Sequence, residues 1–228
     1  MNWHNLFNFQ QSSVLFSFRL CLAQNKAAAT KPAEDPLTIL FTKAMLAMDN
    51  KKYDEALKNL DELEKKAPKL ETKLAAVVQF KRASCYYLKK DWAKAEGAIN
   101  LFLTKYPKGT EDFFDINDNK LGVARLTLVE VYGGQSKWED ALKLLGELRT
   151  SPLVQPQDRV SAYALSGRII VEQAKSGTEP EKRKAYGQAL ELLKKAIAGG
   201  LGTPEAREAG NQLVEVYTKR AWLKKPNN

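Results

Sequence analysis

The chain has 228 residues, 44% of them hydrophobic, with 36 basic against 27 acidic side chains and a formal net charge of +9. That is enough chain for one sizeable domain with a genuine core, and the composition fits a globular protein rather than a membrane-embedded or disordered one. One histidine (His4) and two cysteines (Cys21, Cys85) supply neither the four ligands of a zinc site nor a disulfide framework, and they remove Ser-His-Asp and Cys-His catalysis from consideration.

Residues 1–36 differ in character from the rest. An apolar run from Val14 to Ala23, broken by Arg19, precedes the Ala/Thr/Lys/Pro stretch Ala27–Pro36. The run is shorter than the ~20 residues of a membrane-spanning helix. It reads as a signal peptide with cleavage near Ala23 or Ala27, followed by a linker. That reading implies an exported, periplasmic or envelope-associated protein. No basic residue precedes the run and Arg19 lies inside it, so a cytoplasmic chain is the alternative. Cys21 follows Phe18-Arg19-Leu20 instead of the small residue expected before a lipidated cysteine.

From Leu37 onward the apolar residues recur at helical spacing. Asp35-Pro36 opens the first helix, Asp49-Asn50 breaks it, and Asp91 precedes a helix beginning at Trp92. Gly133-Gly134 interrupts a further pair, Ser151-Pro152 closes it, and Gly199-Gly200 with Thr203-Pro204 sets off the last helix. Aligned on a small residue, four units share one skeleton. Ala56, Ala95, Ala141 and Ala189 are each preceded at three residues by an aromatic (Tyr53, Trp92, Trp138, Tyr186). Each is followed at four by an aliphatic (Leu60, Ile99, Leu145, Leu193). Proline follows in three units, at Pro68, Pro107 and Pro152. Upstream, Ala44, Ala83, Val129 and Gly167 lie three residues before Ala47, Tyr86, Tyr132 and Ile170.

This skeleton resembles the tetratricopeptide repeat (TPR), over about Leu37–Gly202. The resemblance implies an all-α, right-handed α-α superhelix of helical hairpins, with units at about 37–70, 74–109, 119–152 and 157–202. A capping helix over 204–223 and a tail over 224–228 complete the expected organisation. The cap carries Val214 and Tyr217 in the style of a first helix with no second helix after it. Successive alanines stand 39, 46 and 48 residues apart, longer than the usual repeat; the excess falls in "KGTEDFFDINDN", "SPLVQPQDR" and "SGTEPEKRKA", the last read as an inserted loop.

Carboxylates in "DELE" and "EDFFD" read as surface charge, and "GGQSK" lacks the spacing and preceding strand of a phosphate loop. No catalytic residue, cofactor or metal is expected. In TPR-like arrays the first helix of each hairpin lines the concave surface. That face comprises Phe41, Met45 and Met48 in unit one and Val77, Phe80, Ser84 and Tyr87 in unit two. It continues with Val123, Leu126 and Glu130 in unit three, and Ala164 and Arg168 in unit four. The residues form either a groove for an apolar peptide or partner helix, or internal packing. Lys and Asn that hold a carboxy-terminal carboxylate in some relatives are replaced here by Phe41, Met45 and Ser84. The segment "FKRASCYYLKKDWAKAEGAINLFLTKYPKG" is similar to units of bacterial envelope-associated TPR proteins that serve outer-membrane or cell-wall assembly.

The expected function is therefore a non-enzymatic scaffold for a protein or peptide partner, with no nucleic acid partner. The alternative is an electrostatic adaptor for an anionic polymer or membrane surface. Its basis is the basic carboxy-terminal end, Lys219, Arg220, Lys224 and Lys225.

Overall fold

The computed structural model describes residues 35–66, 72–106, 120–152 and 154–223. Among them are nine α-helices and no strand. They are α1 (Pro36–Asp49), α2 (Tyr53–Lys66), α3 (Thr72–Leu88), α4 (Trp92–Lys105), α5 (Leu121–Gly134), α6 (Trp138–Thr150), α7 (Pro156–Gln173), α8 (Glu179–Gly199) and α9 (Pro204–Trp222). A 3-10 turn, Ala174–Ser176, follows α7. The leader, Pro68, Pro107 and the tail lie outside the described residues.

Each helix packs on the next in the chain, and α3 on α5, α5 on α7 and α7 on α9 make the additional contacts between alternate helices. This is the pattern of a hairpin solenoid: α1–α2, α3–α4, α5–α6 and α7–α8 are the hairpins, and α9 packs on the last of them.

The core explains why the repeated residues are what they are. Ala56, Ala95, Ala141 and Ala189 are fully buried, as are Leu60, Leu145 and Leu193, with Ile99 nearly so. A methyl group at the first set lets paired helix axes approach; the aliphatics fill the space that closeness creates. At Gly167 the neighbouring helix leaves no room for a side chain. A Cβ there would stand 2.9 Å from Leu193 Cγ and 3.3 Å from the Ala189 carbonyl oxygen.

Three hairpin turns share one backbone device. Lys51, Lys90 and Ser136 have φ of 59°, 60° and 59°. In each turn the following N–H reaches back five residues, from Lys52 to Ala47 O, Asp91 to Tyr86 O and Lys137 to Tyr132 O, at 2.8, 3.0 and 2.8 Å. This 6→1 bond, with its inner 5→2 partner, caps the first helix through one left-handed residue. The break expected at Gly133-Gly134 therefore falls later, at Ser136. The helix runs through both glycines because Gly134 makes room for an aromatic ring: its Cβ would lie 2.6 Å from Trp92 Cε2.

The loop expected over "SGTEPEKRKA" is also mostly helix. Thr178 and Glu181 form a reciprocal capping box, with Pro180 in the first turn, so α8 begins seven residues before Tyr186. The insertion extends α8 by two turns at its start.

Polar clamps join successive hairpins. Arg82 on α3 reaches Asp61 (2.7 Å) and Glu64 (2.9 Å) on α2. Burial opposes the Arg82 charge, but hydrogen bonds and attraction from the two carboxylates outweigh it and hold the guanidinium above its usual range. Glu96 on α4 accepts from Lys137 (2.8 Å) and Gln135 (2.9 Å) at the next hairpin's turn. Arg149 on α6 donates to Ser166 on α7 at 2.6 Å. At the α7–α9 contact, Gln157 donates to the buried Glu205 at 2.9 Å. Asp158 lies against Gly122, and burial, together with the Glu205 charge, raises its carboxyl above the usual range.

Candidate functional site

The first helices of hairpins two, three and four bring three of the expected surface residues together. The Tyr87 hydroxyl on α3 donates to Glu130 Oε2 on α5, and Arg168 Nη2 on α7 pairs with Glu130 Oε1 at 2.8 Å. Glu130 and Arg168 each stand one residue after the small position of their helix (Val129, Gly167), so the register that packs the hairpins also aligns this ladder. Burial raises the Tyr87 phenol well above its ordinary range, and the Glu130 charge and hydrogen bond add to the shift. The tyrosine therefore stays protonated as a donor, and both carboxylate oxygens of Glu130 are engaged.

Around the ladder lies an open cleft of about 230 Å³, with Val129 and Ile169 beneath and Trp92, Trp138, Gly133, Gly134 and Glu172 around it. Its lining is mostly apolar, and its volume suits one large side chain of a partner rather than an extended surface. Trp92 and Trp138 play two roles. Each starts a second helix as a wedge against the first, and each also walls the cleft. Gly134 leaves the Trp92 indole its place, since any Cβ there would crowd the ring, whereas at Gly133 a Cβ would make an ordinary 3.6 Å contact with Trp138.

The other expected surface residues are placed differently. Phe41, Met45 and Met48 are buried in the cluster that α1 makes with Leu57, Leu60 and Leu63 of α2. Val77 joins that cluster, Phe80 packs against Phe102 with tilted rings at a centroid distance of 5.4 Å, and the Ser84 hydroxyl donates to the Phe80 carbonyl at 2.9 Å. Ala164 is buried against α8, while Leu126 and Val123 are partly buried at neighbouring clusters. Trp92, Trp138, Ile169, Glu172 and the glycine pair were not among the expected surface residues. Nothing in the one-dimensional pattern distinguishes a wedge that is covered from one that borders a cleft.

The arrangement can hold and orient a side chain, and the hydroxyl it sets beside a carboxylate, Tyr87 on Glu130, is kept protonated by burial. Among the described residues no group of three or more His, Cys, Asp or Glu side chains is placed to hold a metal ion. Among the same residues no helix is long and apolar enough to cross a membrane.

A family profile described as YfiO, outer membrane lipoprotein, matches residues 33–114, which take in the first two hairpins with their repeated wedge, small and filler residues. The chain is a TPR-like helical-repeat protein. No curated protein matches it at a significant level. The cleft of this TPR-like chain begins in the matched hairpins, at Tyr87 and Trp92, and extends beyond them onto α5, α6 and α7.

Proposed function

We propose that this TPR-like protein is a non-enzymatic interaction scaffold of the bacterial envelope that seats a peptide or partner segment across the first helices of hairpins two to four. The observation that carries the reading is the Tyr87–Glu130–Arg168 ladder lining an aromatic-walled cleft. A side chain entering there exchanges water for two indole faces, while the ladder's polar atoms fix the rim without needing the ligand to satisfy them. The envelope setting is supported by the description of the family matched by the first two hairpins. The leader's signal-peptide character agrees with it and carries export to the periplasm as part of the same proposal.

The electrostatic adaptor receives less support from the described side chains. Lys219 pairs with Glu215, and nearby Lys194 with Glu191, Lys175 with Glu172 and Arg183 with Glu179, so part of the positive charge around the last two helices is locally met, while Lys224 and Lys225 lie outside the described residues.

The test is selection of peptides from a displayed random library on the immobilised full chain, followed by measurement of each selected peptide in solution. Peptides that lose affinity on Trp138→Ala and Arg168→Ala, and retain it when moderate salt is added, support the cleft. A set indifferent to both substitutions, or binding that collapses with salt like an electrostatic contact, refutes it.

A further inference from the structure

The pentapeptide Leu-Val-Glu-Val-Tyr occurs twice, at Leu128–Tyr132 in α5 and at Leu213–Tyr217 in α9. The two copies meet different fates. In α5, Val129 is fully buried in a cluster with Ala141, Leu145 and Leu148 of α6 and Leu165 of α7, and Tyr132 packs at its edge. In α9 the matching Val214 is 66% exposed and Tyr217 is 46% exposed. The difference is not in α9's other face: Ala209 and Val216 are buried, and Leu213 partly buried, against α7 and α8. Gly210, Val214, Tyr217 and Ala221 follow one another at spacings of four, three and four, which makes a second, continuous apolar stripe along the helix. A Cβ added at Gly210 would meet no described atom within 4 Å, so the stripe has room for a close neighbour.

We infer that this stripe is a docking face for an amphipathic helix of a partner protein, seated on α9 as α6 is seated on α5. The duplicated pentapeptide states what such a face takes: a helix with Ala, then Leu four and seven residues later, as in α6. Charge sets the partner's polarity. In these hairpins the start of the second helix lies beside the end of the first. The first turns of α2 and α6 are acidic, with Asp54 and Glu55, and Glu139 and Asp140. The last turn of α9 carries Lys219 and Arg220, so the helix that fits is one whose first turn is acidic. A second copy of this chain fits less well. Each copy carries a net charge of +9 and would set the basic end of its own α9 against a like charge. The face uses none of the cleft residues and stands whether or not the cleft binds a peptide.

The test uses the full chain and a fluorescent peptide with the α6 sequence Lys137–Ser151, held helical by a lactam between Lys143 and Glu147. Saturable anisotropy is expected. Val214→Asp should weaken it by about tenfold or more, because a carboxylate would enter an apolar seam. Gly210→Gln should do the same by filling the seam. This second variant improves helix propensity and does not touch the α7–α8 contact, so a folding defect cannot account for its effect. A peptide with Glu139→Lys and Asp140→Lys should bind more weakly than the parent. Failure to saturate, or affinity indifferent to both protein substitutions, overturns the inference. So does sedimentation showing concentration-dependent self-association that Val214→Asp abolishes, since the face would then belong to a second copy.

Discussion

Gly167→Ala in α7, compared with Gly97→Ala in α4, isolates the close helix approach on which the hairpins depend. Both glycines lie inside helices, where alanine is favoured by about 1 kcal/mol when nothing opposes it. At Gly97 a Cβ would meet nothing within 4 Å, so the full gain is expected there. At Gly167 the added carbon would stand 2.9 Å from Leu193 Cγ, 3.1 Å from Leu193 Cδ2 and 3.3 Å from the Ala189 carbonyl oxygen. Leu193 is fully buried and cannot swing into solvent, and the carbonyl is part of α8, so α7 and α8 must part slightly. Overpacking of this kind costs about 1–3 kcal/mol. The expected result is that Gly97→Ala raises stability by about 1 kcal/mol, while Gly167→Ala is neutral or loses up to about 2 kcal/mol. In thermal unfolding followed by circular dichroism, the two variants should separate by about 2–4 °C for each kcal/mol between them. Equal stabilisation by both substitutions would refute the claim that axial closeness of α7 and α8 is limiting.

The shared hairpin turn predicts that Lys90→Gly and Ser136→Gly each raise stability by up to about 1 kcal/mol, seen as a higher unfolding midpoint, since glycine removes the left-handed strain at some entropic cost; loss of stability at both sites would contradict the turn geometry. Cys85 is buried, and burial pushes its thiol up to about 12. A thiol reagent followed by peptide mapping should label it only under denaturing conditions. The folded-state carboxyl of Asp158 is raised, so its contribution to stability is fully present below its unfolded value near 3.8 and is lost as pH rises through the folded value. Asp158→Asn should therefore be more stable than the parent at neutral pH, with the advantage shrinking as both are melted at progressively lower pH.

Much of this architecture was legible because the repeat constrains residue size at fixed intervals. An alanine bracketed by an aromatic at minus three and an aliphatic at plus four describes a helix that must approach another, whatever the rest of the sequence does. The cleft was only partly legible. Tyr87, Glu130 and Arg168 could be assigned to the first-helix faces by offset, and the fold brings them together. Phe41, Met45 and Phe80 share the same offsets and are buried. Whether an offset position meets solvent or a neighbouring helix depends on how each hairpin rotates against the next, and that rotation follows from residues on both. The Thr178–Glu181 capping box is readable in the sequence, but the Gly-Thr-Glu-Pro composition around it argues for a loop.

The sequence by itself determined the helices, the hairpin pairing and the small positions that let them close, because each rests on local spacing and on side-chain volume. The tertiary structure alone decided which wedge aromatics border a cleft and which copy of Leu-Val-Glu-Val-Tyr has its first Val and its Tyr covered. Val131 and Val216 are buried in both copies, but Val129 is core in α5 and its counterpart Val214 is surface in α9, because burial belongs to the neighbour that arrives, and a segment does not encode its neighbour.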